Sequence, residues 1–407
     1  MKKIVLISFI ILAAASYGFS QNSKVVSAFN YHNNGKLDKA KENIDAATVN
    51  EKTMGSAKTW YYRGNIYIDI YRSEDEAYKN LDPDPLNKAY EAYKKAMELD
   101  TKNQYKIDIL QRMPIVGEAF FNYGAKLYND GMTAFNAADT IQAQKEFDGS
   151  VKAFENAYTI YSETGRIDTT TIYYISIAAE LAKDLDKTKE SIRTLIGWDY
   201  PEPAIYVTMA NVFYKHEKNI DSAIYYYSEG RKKFPEDLNL VLNETNLYLA
   251  EGMTQKALDN LVLASSIDKT NPTIFFAIGA KYNEVVDDTT KTQEMRNSAF
   301  DEAVIAYDKA IELKPDYFDP NYNMGALYVN KAASVIDQAN QLPLDAQDKY
   351  DRLKAQADQY LTTCLPYLEK AHELLPDDVS TLVSLKEIYT RLKMDEKRKE
   401  VDAKLQK

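Results

Sequence analysis

The chain has 407 residues with 27% charged and only 14 Gly and 12 Pro, which excludes a disordered or collagen-like chain and leaves room for two or more domains or one extended array. The formal charge of −11 comes with no stretch that concentrates Lys and Arg, so phosphate tracking is excluded and no nucleic-acid partner is expected. The single cysteine, Cys364, allows no internal disulfide, and stability must come from packing.

The N-terminus, MKKIVLISFIILAAASYGFSQ, joins Lys2 and Lys3 to an apolar run from Ile4 to Ala15 and ends in small residues before Gln21. This is the pattern of a secretory signal peptide over residues 1–20, cleaved after Ser20; an uncleaved anchor is the alternative. No cysteine follows the run, so lipid anchoring is unsupported. Loss of the segment leaves 48 basic and 61 acidic residues, a net of −13.

Helix pairs follow in chain order, each with small and large residues at steps of three and four, the spacing that puts them on one stripe. A first pair joins Ala28 and Tyr31 to Ala40, Ile44 and Ala47; a second joins Thr59–Tyr67 to Lys88–Asp100; a third joins Ala119–Tyr128 to Ser150–Tyr158. A weaker fourth joins Ser176 and Ala179 to Thr188, Ile192 and Leu195, and GWDYPEP, Gly197–Pro203, reads as the joint between two halves. Val207, Asn211 and Tyr214 then recur 34 residues later as Val241, Thr245 and Tyr248, and again as Phe275, Gly279 and Tyr282. Their partners Ala223, Tyr227 and Gly230 recur as Ala257, Leu261 and Ala264, and Pro235 marks the helix end. Pro320–Tyr328 and Asp301–Tyr317 repeat the pattern with Ala303, Tyr307, Ala310 and Pro315 in register; the last full copy ends in Cys364, Leu368, Ala371 and Pro376, and a degenerate pair closes the chain from Ser380 to Lys407.

A two-helix unit of 34 residues with a small-aromatic-small second helix resembles the tetratricopeptide repeat (TPR). The resemblance covers nearly all of the chain after residue 20. It implies an all-α fold, a right-handed superhelix (α-solenoid) of about eight helix-turn-helix repeats with a C-terminal capping helix pair, and an inner groove lined by first helices. The expected organisation is an array over 21–200, a second over 201–379 with a long insertion at 330–359, and capping helices at 380–407.

Four copies exceed the period between first and second helix. Tyr67 to Ala89 has 13 extra residues, Leu127 to Ser150 has 14, Tyr282 to Ala303 has 12 and Tyr328 to Cys364 has 27. These insertions are expected to crowd one rim, the longest as two lengthened helices broken at Leu342 and Pro343. A further excess before Gly124, with Pro114 inside it, suggests a break or short extra helix. Two inserted triplets, Asp139-Thr140-Ile141 and Asp288-Thr289-Thr290, resemble acceptor sites of some periplasmic O-glycosylation systems.

Catalytic chemistry has little to stand on: His32, His216 and His372 lie on different repeats without metal-helix spacing, and Cys364 fills a small-residue slot, which predicts a buried, inert thiol. No catalytic residue, metal site or cofactor is expected, and the chain reads as not an enzyme. The first helices instead carry Asn33, Asn65, Asn122, Asn129, Asn243, Asn246, Asn283, Asn323 and Asn330, interleaved with Phe29, Tyr61, Tyr62, Phe121 and Tyr322. Amides suit the backbone of an extended peptide, and aromatics hold side chains or sugar faces; Asn at two of these positions is also common in such repeats as a structural residue. A carboxylate clamp of the kind some relatives use is not expected, because Tyr61, Thr170 and Tyr174 stand where its cations would be. The expected function is a protein–protein interaction scaffold of the bacterial envelope, periplasmic or held at the outer membrane through a partner, binding a protein or peptide by the groove or the inserted rim. A glycan- or peptidoglycan-binding protein is the alternative, and an enzyme with an unrecognised site the third.

Overall fold

The computed structural model describes residues 24–406, and every regular element among them is helical. The 1–20 segment lies outside the described residues. The chain divides into two compact units, the first ending at His216 and the second starting at Glu217.

The first unit holds α1 (24–33), α2 (Leu37–Thr48), α3 (Ala57–Arg72), a short α4 (Glu76–Lys79), α5 (Pro85–Leu99), α6 (Lys106–Asn136), α7 (Thr140–Glu163), α8 (Thr169–Leu181), α9 (Leu185–Gly197) and α10 (Ala204–Asn211), which ends in a π-turn over Val212–His216. The second holds α11 (Ile220–Lys233), α12 (Leu238–Ala250), α13 (Thr254–Ile267), α14 (Pro272–Asp287), α15 (Gln293–Leu313), α16 (Phe318–Asn340), α17 (Gln347–Leu374), α18 (Val379–Arg391) and α19 (Asp395–Leu405). The expected joint at 197–203 is therefore displaced: Trp198 and Tyr200 bond back to Thr194 and Leu195, and Tyr200 packs on Tyr173 at 5.5 Å, so this turn belongs to the first unit.

One column sets the spacing of paired helices. Ala40, Ala89, Ser150, Thr188, Ala223, Ala257, Ala303 and Cys364, the small-residue slot of each second helix, all have 0% exposure. Four residues on, Ile44, Tyr93, Phe154, Ile192, Tyr227, Leu261, Tyr307 and Leu368 are buried as the large members. The facing first helix supplies room by omission: a Cβ on Gly64 would lie 2.4 Å from the Tyr93 ring, and one on Gly279 would lie 2.6 Å from Tyr307. Tight turns between first and second helix repeat as well. Gly35 and Gly252 take a left-handed φ of 69° and 66°, a conformation open to glycine at no steric cost, and the next amide bonds back to Tyr31 and Tyr248 respectively.

The insertions take a different form from the surface turns expected. Only the α3–α5 connection is a loop, with α4 inside it; the others lengthen the two helices of a hairpin, and 330–359 does so with its break at 341–346, as the sequence suggested. Pro114 does not break its helix either, since α6 runs unbroken for 31 residues. The carbonyl left without a donor there belongs to Leu110, a residue 36% exposed. What holds so long a hairpin is a seven-residue zipper. Gly117, Gly124 and Gly131 of α6 lie under Tyr161, Phe154 and Phe147 of α7, and a Cβ at any of the three would come within 2.9 Å of the ring. A strict seven-residue repeat keeps an antiparallel pair in register over more turns than a 34-residue unit supplies.

A buried polar knot joins three helices of the second unit. Glu244 of α12, 4% exposed, accepts from Arg231 of α11 (2.8 Å), from Asn260 of α13 (3.0 Å) and from Tyr248 (2.8 Å). Glu244→Ala leaves the Arg231 guanidinium without its carboxylate and is expected to cost about 3 to 5 kcal/mol, whereas Arg231→Met with Glu244→Leu recovers most of that. Urea unfolding of the two variants checks it. The zipper is tested by Gly124→Leu, expected to lose about 1 to 3 kcal/mol by overpacking, against Gly55→Leu, whose Cβ position has nothing within 4 Å and whose change should be small.

Candidate functional site

First helices of the first unit carry a row of rings. Phe29 of α1 stacks on Tyr62 of α3 at 4.9 Å, Tyr62 meets Tyr61 at 5.5 Å, and Tyr61 stacks on Tyr105, the residue before α6, at 4.8 Å. Phe29 is 37% exposed and the others are half-buried. The row is fixed from one end: the Tyr61 hydroxyl donates to Asp108, which also accepts from Arg112 at 2.8 Å. Burial and the Asp108 carboxylate push the Tyr61 hydroxyl above the usual tyrosine range, so it stays a donor. Beside the row, His32 and Asp69 sit 2.7 Å apart, and the Lys58 ammonium lies 5.5 Å over the Tyr62 ring.

Of the residues singled out from sequence, the structure gathers Phe29, Tyr61 and Tyr62 here, with exposed Asn33 on the same short helix as Phe29. Asn65, expected on the groove, is instead 7% exposed and accepts a hydrogen bond from the Tyr93 hydroxyl at 2.7 Å. It lies one residue after Gly64, where the close approach of the two helices brings Tyr93 over it. Phe121 belongs to a second cluster with Phe154 and Tyr174, at 5.2 and 5.3 Å. Tyr322 stacks on Phe318 at 5.8 Å in the second unit. Asn243 and Asn323 donate to carbonyls four residues back, at 2.8 Å each, and Asn283 to Asp287 at 3.2 Å, so their amides are engaged within their own helices. Asn122, Asn129, Asn246 and Asn330 are exposed. An uninterrupted row of amides along the first helices is not what these residues form; the aromatic row is.

A second concavity lies on the face made by second helices. Between α13 and α15, with α14 as its floor, a cleft of about 1060 Å³ is walled by Val262 and Ile305 and floored by Phe275, Ile278 and Tyr282. Val262 is 47% and Ile305 63% exposed. The corresponding cleft in the first unit, between α7 and α9, is about 220 Å³ and is crossed by the Lys187–Glu155 ion pair at 2.9 Å.

Residues 295–331, spanning most of α15 and the start of α16, match the family described as TPR repeat. Residues 295–331 thus carry a tetratricopeptide repeat, and the helix pairs around them share the all-α fold of such repeats. No curated protein matches the chain in sequence. Solved structures similar to it include the C-terminal part of a TPR repeat-containing protein from Cytophaga hutchinsonii, 14% identical over 70% of this chain and 93% of that one with a TM-score of 0.41. A TPR repeats protein from Bacteroides fragilis is 17% identical over 66% of this chain and 98% of that one, TM-score 0.31, and a thermophilic TPR protein from Thermus thermophilus 16% identical over 50% and 98%, TM-score 0.30.

Within the tetratricopeptide register the cleft has a sequence signal that the first-helix reading passes over. Five residues after the small slot stand Asp45, Lys94, Glu155, Arg193, Ser228, Asp308 and Glu369, and only Val262 is apolar; two residues after it stand Glu42, Glu91, Lys152, Glu190 and Asp259, against Tyr225, Ile305 and Pro366. Among the described residues no group of His, Cys, Asp and Glu could hold a metal ion, and no helix is long and apolar enough to cross a membrane. His372 lies 2.8 Å from Lys404, and burial, with the Lys404 charge added to it, holds the imidazole below its ordinary range.

Cys364 has 0% exposure, and burial pushes its thiol up to about 12. A disulfide reagent is therefore expected to leave it unlabelled at pH 8 in the native protein and to label it stoichiometrically in denaturant. Rapid native labelling, followed by absorbance of the released thiolate, would show the eighth repeat to be open.

Proposed function

We propose that this protein is a non-enzymatic interaction scaffold of the bacterial cell envelope, exported with loss of residues 1–20 and acting in the periplasm or at the outer membrane through a partner. Tetratricopeptide-repeat proteins in general are scaffolds that bind proteins or peptides, and the N-terminal sequence supports export. The observation that carries the reading is the row Phe29, Tyr62, Tyr61 and Tyr105, which crosses α1, α3 and the start of α6. Rings held in place by mutual stacking and by Asp108 lose little freedom on binding, the property of anchors that dominate an interface. The partner is a segment of another envelope protein whose apolar side chains lie across the row, with Asn33 and Lys58 available for its polar groups.

Two measurements test this. Fractionation of the native cell should find the mature chain in the periplasm or with envelope membranes, and mass spectrometry should give Gln21 as its first residue; a full-length cytoplasmic product overturns export. Phe29→Ser with Tyr62→Ser should reduce capture of the stoichiometric envelope partner by about tenfold or more, consistent with the loss of two anchors. Capture unchanged in the double variant, or retention on purified peptidoglycan in place of a protein, would move the function away from a protein-binding row.

A further inference from the structure

Polar contacts join successive second helices through most of the chain. Tyr90 of α5 donates to Glu163 of α7 at 3.0 Å, Lys187 of α9 pairs with Glu155 of α7 at 2.9 Å, and Arg231 of α11 donates to Asn260 of α13 at 2.7 Å. Tyr367 of α17 donates to Asp308 of α15 at 3.2 Å, and Lys397 of α19 pairs with Glu369 of α17 at 2.6 Å. Among the described residues, no hydrogen bond or ion pair joins α13 to α15. That gap is where Val262 and Ile305 replace charged residues, and where the cleft opens to about 1060 Å³. Single exposed apolar residues need no explanation, but a pair facing each other across an unbridged cleft with an apolar floor does.

The two ends of the cleft differ in charge. At one end Glu302 and Asp259 both lie close enough to Tyr282 for their charges to act on its hydroxyl. At the other, Lys269 is exposed and has no ion pair among the described residues, Lys309 and Glu312 neutralise each other at 2.8 Å, and the Asp308 carboxylate on the same wall accepts from the Tyr367 hydroxyl at 3.2 Å. The walls are helices whose interior backbone groups are already bonded to one another. An extended peptide entering between them would lose water from its own N–H and C=O groups and gain no backbone partner, whereas a helix brings its backbone bonds with it. Glu302 to Glu312 marks the length of the cleft along α15, about 15 Å at the helical rise, or roughly three turns.

We propose that the cleft between α13 and α15 docks an amphipathic α-helix of a partner protein, its apolar stripe on Val262 and Ile305, a cationic residue beside Glu302 and Asp259, and a carboxylate beside Lys269. With acids in its first turn and lysines in its last, such a helix runs antiparallel to α13 and α15, the direction that also opposes its macrodipole to theirs. The surface is made of residues other than the aromatic row of the first unit, so it stands or falls separately.

The probe is a fluorescein-labelled peptide of about 14 residues, Ala-rich, with Leu at i, i+3, i+4 and i+7, two Glu in its first turn and two Lys in its last. The control peptide has Glu at both ends. Fluorescence anisotropy with the full chain should show the probe binding at least about tenfold more tightly than the control. Ile305→Asp should weaken the probe by about tenfold or more, with circular dichroism and melting unchanged because the side chain is 63% exposed. Asp259→Lys with Glu302→Lys should reverse the preference, so that the control peptide binds better than the probe. Equal affinity of the two peptides, insensitivity to Ile305→Asp, or no binding up to about 1 mM would overturn the proposal. So would sedimentation showing a dimer of this chain that Ile305→Asp abolishes, since the occupant would then be a second copy.

Discussion

The close approach of paired helices at the small-residue column is the contact on which the rest of the architecture depends. Eight second helices present Ala, Ser, Thr or Cys with no exposed surface at one position, and a large side chain four residues on fills the space beside it. Where the facing residue is glycine, as at Gly64, Gly124 and Gly279, the ring lies where a Cβ would be. Such interiors are packed like organic crystals, so a single added methyl group at the contact must push a neighbour aside. The same constraint explains where the chain can vary. Residues can be added at the open tip of a hairpin, beyond the small-residue column, and the α6–α7, α14–α15 and α16–α17 hairpins all grow there.

Much of this was legible because it is periodic. The 34-residue recurrence, the small slots and the buried thiol of Cys364 follow from spacing alone, and each is a property of a stripe rather than of one residue. Pro114 misled because its local cost, about 3 kcal/mol in a helix interior, competes with an interface of three glycines and three rings that no local reading weighs. Gly117 and Gly131 stand seven residues either side of Gly124, a pattern visible in the sequence but hidden by fitting a 34-residue ruler to it. Asn65 misled for a related reason. Its place in the repeat register points to the first-helix face, yet the absence of a side chain at Gly64 draws Tyr93 near enough to bond it.

Polar knots and clefts were less legible because they depend on departures from the repeat. Glu244 occupies a first-helix position that is apolar in several other copies, such as Ile175 and Ile278, and becomes tolerable only because Arg231, Asn260 and Tyr248 converge on it from three helices. A buried carboxylate of this kind fixes the mutual register of α11, α12 and α13 more than it stabilises them, since its attraction to Arg231 must first offset the loss of water. Val262 and Ile305 are departures of the opposite sign. Each is unremarkable in its own helix, and their meaning appears only when α13 and α15 are placed side by side.

The two candidate surfaces therefore differ in how recognition is tied to folding. Tyr61, Tyr62 and Tyr105 pack against the core of the first unit as well as against one another, so a change that weakens binding there also removes buried area, at about 25 cal/mol for each Å² of apolar surface. The row can vary only within what the core accepts. Val262 and Ile305 project from the outer columns of their helices, while the inner columns, Ala257, Leu261 and Ala264 on α13 and Ala303, Tyr307 and Ala310 on α15, hold the fold. Specificity there can be altered by substitution without disturbing the small-residue contact. In an array whose repeats share one packing rule, the outer columns of the second helices are where one repeat can acquire a ligand that its neighbours do not bind.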